Sequence, residues 1–435
     1  MATRRLLGDR GMIEADRSAR RWAMPACIIL AVMLRLLAML IFPVAPISDY
    51  AWYLDRARDI AAGLGYVERG IPTAYWPVGY PAILAAAIAM TGSDHAAPLA
   101  LNLAFAATTG WGMIRLGRRL AMPRPAIIAA LLIWAVYPNS IFYAPQLASE
   151  GPYVPLLIWA TYFLLAPTPG AAAIAGGLLG LATLIKTQTY LYPIMLLVLL
   201  GVAKPRPGWR LVALKSVLLY AALFAVVAPW TLRNHQRLGE WVLVSTNGGP
   251  TLLNGNNALA NGGYVDEADE PGILEIYDRT GIRAADRLRR QVDYDRRTKA
   301  LGWQWIRENP AAFAMLMPRK LFELWGTDGE AAWAYERHHA DARTPILIMR
   351  IVDQLLYMAI VLLALRRLWT IGRNGLRDRA LPAEATLFAF PLFITAIALL
   401  FSGQARFHAP AMPLLIMAAS MAWATRRRGR RSSSA

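Results

Sequence analysis

The stretch PISDYAWYLDRARDIAAGLGY, residues 46–66, decides the fold, because it joins a membrane-spanning pattern to an amphipathic helix. It follows about twenty mostly apolar residues, which is the length an α-helix needs to cross roughly 30 Å of hydrocarbon. Within it, an apolar stripe is predicted on one side, formed by Leu54, Ala57, Ala61 and Leu64, and charged residues occupy the other side. The first apolar segment therefore leads into a helix that lies on the bilayer, with Asp49 at the junction.

The whole chain has the composition of a membrane protein. Its 435 residues are 57% hydrophobic, and the mean hydropathy of +0.36 is too high for a soluble globule of this size. The apolar runs are continuous rather than alternating, which favours helices. We predict an all-α polytopic protein with about ten transmembrane helices, near residues 24–43, 96–116, 126–143, 152–167, 171–186, 189–203, 211–230, 345–365, 384–402 and 408–425.

The net charge of +18 comes from short basic clusters that flank apolar runs, such as RLGRRLAMPR at 115–124 and RRRGRR at 426–431. This arrangement follows the positive-inside rule, so both termini are expected in the cytoplasm and the chain in a bacterial inner membrane as a multi-pass protein. Membrane topology explains the charge better than nucleic-acid binding does, and no nucleic-acid partner is expected.

The same rule predicts the organisation of the chain. If the short apolar segment 80–93 crossed the membrane, the cluster at 115–124 would face outward, so we expect a juxtamembrane helix there instead. The predicted parts are a basic cytoplasmic N-terminus at 1–23, a catalytic transmembrane module at 24–230 with an external loop at 44–95, a periplasmic loop or small domain at 231–344, C-terminal transmembrane helices at 345–425 and a basic tail at 426–435.

Two acids are candidates for catalysis. Asp49 follows the first predicted span, and Glu150, in YAPQLASEGPY, lies between the third and fourth spans, so both meet the same membrane face. Carboxylates at one interface can act as a general base and as a group that orients an acceptor. Each also has a structural explanation, because acids are favoured at the N-termini of helices.

Basic residues on that same face are candidates for binding a lipid phosphate. Lys186 in TLIKTQTY, Arg233 in PWTLRNHQ, and Arg406 and His408 in SGQARFHAPAMP are all placed externally, against the charge rule. Snorkelling or packing of these side chains is the alternative explanation. In the first loop, GIPTAYWPVGYP (70–81) is rich in proline and aromatic residues, and Tyr75 and Tyr80 are expected to wall the site.

Several of these stretches together resemble GT-C glycosyltransferases of the family 39-like kind, the group that includes protein O-mannosyltransferases and the lipid A aminoarabinose transferase. The matching stretches occur in chain order and cover most of residues 24–425. They are SDYAWYLDRARDIAAGLGY, PTAYWPVGYPAILA, YAPQLASEGPYVPLL, GLLGLATLIKTQTYLYP, APWTLRNHQRLGEWVLVSTNGG and ARFHAPAMPLL.

The resemblance implies a GT-C-like fold and transfer of a hexosyl or pentosyl group from a polyprenyl-phosphate sugar on the periplasmic face. It implies that Asp49 is the catalytic acid of the first external loop and that Glu150 is a second functional acid. Protein O-mannosyltransferases carry an Asp-Glu pair at the first position, where this chain has Asp49 followed by Tyr50. No cofactor is expected to be required. Some relatives use a divalent ion, but the acids here are sparse, and no metal ligands are predicted.

Other readings of the sequence stay open. A multipass transporter or flippase of lipid-linked sugars would also place charges near the membrane rim, although it favours charges deep in several spans and two related halves. A non-catalytic subunit of polysaccharide assembly is a third possibility, because fold does not fix function. The acceptor is open between a glycan, a lipid and a protein.

Overall fold

A computed structural model describes residues 2–204, 208–338, 343–378 and 381–432 of the chain. The structure is 75% helical with almost no sheet, which confirms the predicted fold class. In chain order the helices are α1 (Ala2–Ile41), α2 (Asp49–Ala61), α3 (Gly79–Thr91), α4 (Ala96–Arg119), α5 (Arg124–Val136), α6 (Pro138–Phe142), α7 (Glu150–Leu164), α8 (Gly170–Ile185), α9 (Tyr192–Val202), α10 (Trp209–Leu238), α11 (Gly248–Asn254), α12 (Ile273–Asp278), α13 (Gln291–Glu308), α14 (Pro310–Trp325), α15 (Ala332–His338), α16 (Arg343–Asp378), α17 (Ala389–Leu400), α18 (Ala405–His408) and α19 (Met412–Ser432).

The remaining regular structure is short. Strands β1 (Val67–Glu68) and β2 (Ile71–Pro72) pair antiparallel within the first external loop. Strands β3 (Ala203–Lys204) and β4 (Leu381–Pro382) pair parallel. Single turns of 3₁₀ helix occur at Thr187–Leu191, Ala284–Asp286, Ala383–Phe388 and Ala409–Ala411.

The predicted spans all overlap helices, although the span at 126–143 is divided between α5 and α6. The apolar helices indicate a multi-pass membrane protein. Within the described residues, the helices long and apolar enough to cross a bilayer alone are Trp22–Ile41, Trp209–Leu238, Arg343–Gly375 and Ala383–Leu400. Shorter apolar helices are Gly79–Thr91, Arg124–Val136, Gly170–Ile185 and Thr187–Val202.

The segment 44–95, predicted to be external, contains two helices, α2 and α3, that pack against each other. Helix α3 has 13 residues, so its length of roughly 20 Å falls short of the hydrocarbon thickness. It ends at Gly92, whose φ of 69° is the left-handed conformation that glycine adopts without strain. Helix α3 also packs against α4 and α8, which connects this segment to the main bundle.

A second, smaller core lies in the region after α10. Helix α11 packs against α13, and Leu253, Val265, Ile273, Tyr277 and Tyr294 belong to one buried cluster that is separate from the main core. Apolar burial of this kind is what stabilises a loop region of this length. Helix α10 itself continues to residue 238, about two turns past the predicted end of its span.

The bundle is held by close helix contacts that depend on glycine. Helices α8 and α10 pack against each other over much of their length, and Gly176 of α8 lies directly against the backbone carbonyl of Leu219 in α10. Small residues at such contacts let the helix backbones approach each other, and van der Waals packing then drives their association in lipid.

Replacing Gly176 with alanine is expected to destabilise the bundle. The added methyl group would overlap the Leu219 carbonyl, and overpacking of this kind costs about 1–3 kcal/mol. The measurement is thermal unfolding of the detergent-purified protein. Gly177→Ala is the matched control, because its Cβ meets no atom within 4 Å. Equal unfolding midpoints for the two variants would contradict the tight packing at Gly176.

Candidate active site

Four charged side chains from four separate elements meet in one ionic cluster. Arg406 Nη2 donates to Asp49 Oδ2 at 2.8 Å, and Lys186 Nζ donates to Glu150 Oε1 at 2.8 Å. Arg406 Nε also lies 3.8 Å from Glu150 Oε1, so the two pairs form one continuous chain of charges. We call Asp49, Glu150, Lys186 and Arg406 the ionic cluster.

Local backbone structure explains why the acids point into the cluster. Asp49 and Glu150 are the first residues of α2 and α7, where the helix dipole favours a negative charge. Ser48, just before Asp49, has a φ of 51°. A non-glycine residue in this conformation costs of order 1–3 kcal/mol and persists only where the surrounding structure requires it.

The cations come from the ends of two other elements. Lys186 directly follows α8, in an extended conformation that turns the chain into the next helical segment. Arg406 lies in the short helix α18. Burial lowers the pKa of Arg406, but the carboxylates of Asp49 and Glu150 act in the opposite direction and hold it well above its ordinary value. Arg406 is therefore a permanent positive charge at the centre of the cluster.

The members of the ionic cluster differ in accessibility. The side chain of Glu150 is 5% exposed and that of Lys186 is 12% exposed. Asp49 is 12% exposed and Arg406 is 20% exposed. Charges this close in a partly desolvated site interact far more strongly than charges on an open surface.

A further acid, Glu330, is influenced electrostatically by the cluster and was not predicted. Burial raises the pKa of Glu330, whereas Arg406 acts to lower it. Among the described residues its carboxylate has no hydrogen-bond donor. The sequence offered one signal, the acidic external segment WGTDGE at 325–330 that follows α14. This signal was weak, because the predicted loop that contains the segment also holds many other charged residues that are expected to be solvated.

Arg233 lies outside the ionic cluster. Its guanidinium donates to the backbone carbonyls of Thr73 at 2.8 Å and Tyr66 at 2.7 Å, and it stacks 4.7 Å from the Trp230 ring. In the described part of the chain it makes no ion pair. The structure therefore places Arg233 as a clamp on the first external loop, and its predicted contact with a phosphate stays a prediction.

His408 also lies apart from the cluster, in a buried polar network. Its Nε2 lies 3.2 Å from Asp328 Oδ1, and its ring stacks between Trp325 and Tyr357 at centroid distances of 5.3 and 5.0 Å. Tyr137 and Asn139 donate to the same aspartate. His408 has no exposed surface, so a predicted role in binding phosphate would need this network to open.

The two predicted wall residues differ in environment. Tyr80 is 1% exposed and packs against Tyr53 with a centroid distance of 5.5 Å, so it belongs to the interior of the segment 44–95. Tyr75 is partly exposed, and burial raises the pKa of its hydroxyl. Its ring lies 5.5 Å from Trp76.

The acids of the cluster are engaged by cations rather than grouped together. Within residues 2–204, 208–338, 343–378 and 381–432, no three histidine, cysteine, aspartate or glutamate side chains lie close enough to hold a metal ion. That the protein needs no metal ion stays a prediction.

Comparison by sequence finds no matching family model. It also finds no matching curated protein. Comparison of structures does find relatives. The oligosaccharyltransferase of Archaeoglobus fulgidus in its apo form has a TM-score of 0.55 and 12% sequence identity, and the match covers 93% of this chain and 50% of that protein.

The same archaeal oligosaccharyltransferase, AglB, in complex with an inhibitory peptide and a dolichol-phosphate, has a TM-score of 0.53 and 12% identity over 94% of this chain and 50% of that one. ArnT from Cupriavidus metallidurans in the apo state has a TM-score of 0.41 and 13% identity over 93% of this chain and 78% of that one. The chain thus spans about half the length of the oligosaccharyltransferase that it matches. The chain therefore shares the fold of this membrane oligosaccharyltransferase over most of its own length.

Proposed function

We propose that the protein is a glycosyltransferase that moves one hexosyl or pentosyl group from an undecaprenyl-phosphate-like donor to an envelope glycan, lipid or protein. The reaction takes place on the periplasmic face of a bacterial inner membrane, and both termini are cytoplasmic. The observation that carries this proposal is the ionic cluster, in which two acids and two cations meet where external segments join the bundle. That the archaeal relative was solved with a dolichol-phosphate supports a polyprenyl phosphate as ligand.

In this proposal Asp49 is the general base. Glu150 lies near two cations and is the more buried of the two acids, so its carboxylate serves mainly to position Lys186 and Arg406. Asp49 has one cation partner and more exposure. It therefore keeps lone pairs free to accept a proton from an acceptor hydroxyl, which is the geometric requirement for a general base.

The chemistry is a single displacement with inversion. Asp49 takes the proton of the acceptor hydroxyl while the oxygen forms a bond to the anomeric carbon. The bond between that carbon and the phosphate oxygen breaks, and its electrons stay on the polyprenyl phosphate. The leaving group is already an anion, so no general acid is needed. Lys186 and Arg406 stabilise its growing charge, and Arg406 can present two N–H groups to it.

The loop architecture suits a donor anchored in lipid. The polyprenyl tail keeps the phosphate at the membrane surface, so the base must stand at the rim of the bundle. Helices α2 and α3 form a layer at that rim, and Arg233 ties their connecting segment to α10. Closing the site from water in this way strengthens every electrostatic interaction inside it.

The experiment is turnover of polyprenyl-phosphate hexoses and pentoses by the purified protein in nanodiscs that contain bacterial envelope lipids. We expect release of polyprenyl phosphate, and weaker donor binding by at least tenfold in Arg406→Ala, because a charge-assisted hydrogen bond of about 1.5–3 kcal/mol is lost. Arg58→Ala is the control, since Arg58 lies on α2 in an exposed ion pair. No release with any donor from folded protein would favour a transporter or an assembly subunit. Unchanged donor affinity in Arg406→Ala would remove Arg406 from the phosphate site.

A further inference from the structure

A cavity of about 90 Å³ lies inside the bundle and reaches Glu150 of the ionic cluster. Its lining residues come from α1, α4, α5, α6, α7 and α19, from the segment that joins α6 to α7, and from the 3₁₀ turn before α19. Tyr143 and Glu150 both line the cavity. The cavity is therefore continuous with the proposed reaction centre.

In the described part of the chain, three buried polar atoms on residues that line this cavity have no hydrogen-bond partner. They are the Oδ1 atom of Asn102, the Oε1 atom of Gln146 and the hydroxyl of Tyr143. Asn102 is 7% exposed and Gln146 is 3% exposed. An unsatisfied buried polar group costs about 1–3 kcal/mol, so three of them around one cavity indicate that a ligand completes their hydrogen bonds.

The orientation of both amides is fixed by the other end of each side chain. Asn102 Nδ2 donates to the carbonyls of Ala144 at 2.8 Å and Gln146 at 2.9 Å. Gln146 Nε2 donates to the carbonyls of Phe142 at 2.9 Å and Ala331 at 2.7 Å. Flipping either amide would set an oxygen against two carbonyl oxygens. Both amide oxygens are thus held as acceptors and require a ligand that carries hydrogen-bond donors.

The charges around the cavity argue against a cationic ligand. Arg35 is 2% exposed, and its guanidinium donates to the carbonyls of Ala31 and Trp134 and to the Ser140 hydroxyl. Among the described residues no carboxylate pairs with it. Glu150 is already paired with Lys186. An added ammonium group would face an uncompensated positive charge in a low dielectric.

We propose that this cavity is the subsite for the transferred sugar, and that it takes one uncharged monosaccharide ring whose hydroxyls donate to Asn102 and Gln146 and bond to Tyr143. This inference rests on the proposed function and assigns its sugar-binding residues. We restrict the ligand to a single ring because the cavity is small, at about 90 Å³. Fixed acceptors that bond to substrate hydroxyls discriminate strongly against sugars that lack them.

Tyr143→Phe tests the subsite with little risk to the fold, because the hydroxyl it removes has no hydrogen-bond partner among the described residues. The measurement is the binding of undecaprenyl-phosphate-glucose, undecaprenyl-phosphate-arabinose and bare undecaprenyl phosphate, read from ligand-dependent shifts in thermal unfolding. We expect wild type to bind at least one sugar-bearing lipid about tenfold more tightly than the bare lipid.

This difference in affinity should largely disappear in Tyr143→Phe and in Ala106→Leu, which fills the cavity. Tyr192→Phe, which removes an equally buried hydroxyl outside the cavity, should keep it.

Each other outcome has a definite meaning. If wild type binds the bare and the sugar-bearing lipids equally, or if Tyr143→Phe and Ala106→Leu keep the difference, the cavity is a site for water only and the subsite is overturned, while the transferase proposal stands. If wild type binds no polyprenyl phosphate at all, the proposed function fails and the subsite fails with it. Equal binding of a lipid-linked oligosaccharide would overturn the restriction to a single ring.

Discussion

Asp49→Asn is expected to abolish most transfer activity, lowering kcat by about 10²–10⁴-fold while the protein still inserts and folds. Loss of a positioned general base removes this much from a proton-transfer step. The amide is nearly isosteric with the carboxylate, and its oxygen can still accept the hydrogen bond that Arg406 Nη2 now gives to Asp49. The measurement is release of polyprenyl phosphate under saturating donor, because a base acts on kcat more than on donor binding.

Asp55→Asn is the matched control for this prediction. Asp55 lies on the same helix, is 55% exposed, and pairs with Arg58 at 3.2 Å. Exposed pairs of this kind contribute little to stability, so the variant should retain wild-type turnover. If Asp49→Asn were as active as Asp55→Asn, Asp49 could not be the base. In that case Glu150 and Glu330 would be the remaining acids near the cluster.

The placement of the acids at the starts of helices could be predicted from the sequence, since the length of the apolar runs indicates where helices begin and end. Asp49 and Glu150 do begin α2 and α7. Lys186 and Arg406 likewise fall at the ends of helical segments, as their positions between apolar runs indicate. The length and periodicity of an apolar run are local properties of the sequence, and they are sufficient to predict where these helices begin and end.

The pairing among these residues could not be predicted. Arg406 and Asp49 are separated by 357 positions in the chain, and only the packing of the whole bundle brings them together. The same reason explains Arg233, which lies among external cations in the sequence but binds loop carbonyls in the structure. It also explains Asn102 and Gln146, whose significance depends on which carbonyls hold their amide groups.

Glu150→Gln is expected to be the most destabilising of the conservative substitutions in the ionic cluster. It would leave Lys186, which is only 12% exposed, without its carboxylate, and removing one partner of a buried pair costs about 3–5 kcal/mol. The midpoint of thermal unfolding in detergent should fall by several degrees, and transfer should fall with it, because Lys186 would lose the group that positions it. Glu336→Gln, which breaks a pair that is 42% and 44% exposed, should have little effect.

A second substitution separates the two consequences of losing Glu150. In the double variant Glu150→Gln with Lys186→Met, no unpaired ammonium group remains, and a methionine packs in the volume that the lysine stem occupied. Replacing both partners of a buried pair by groups of similar volume is often neutral for stability, so the unfolding midpoint should recover. Transfer should stay low, because a cation proposed to hold the leaving phosphate has been removed. Recovery of both stability and activity would show that the pair of Glu150 and Lys186 is structural, and the phosphate-binding role would then rest on Arg406 alone.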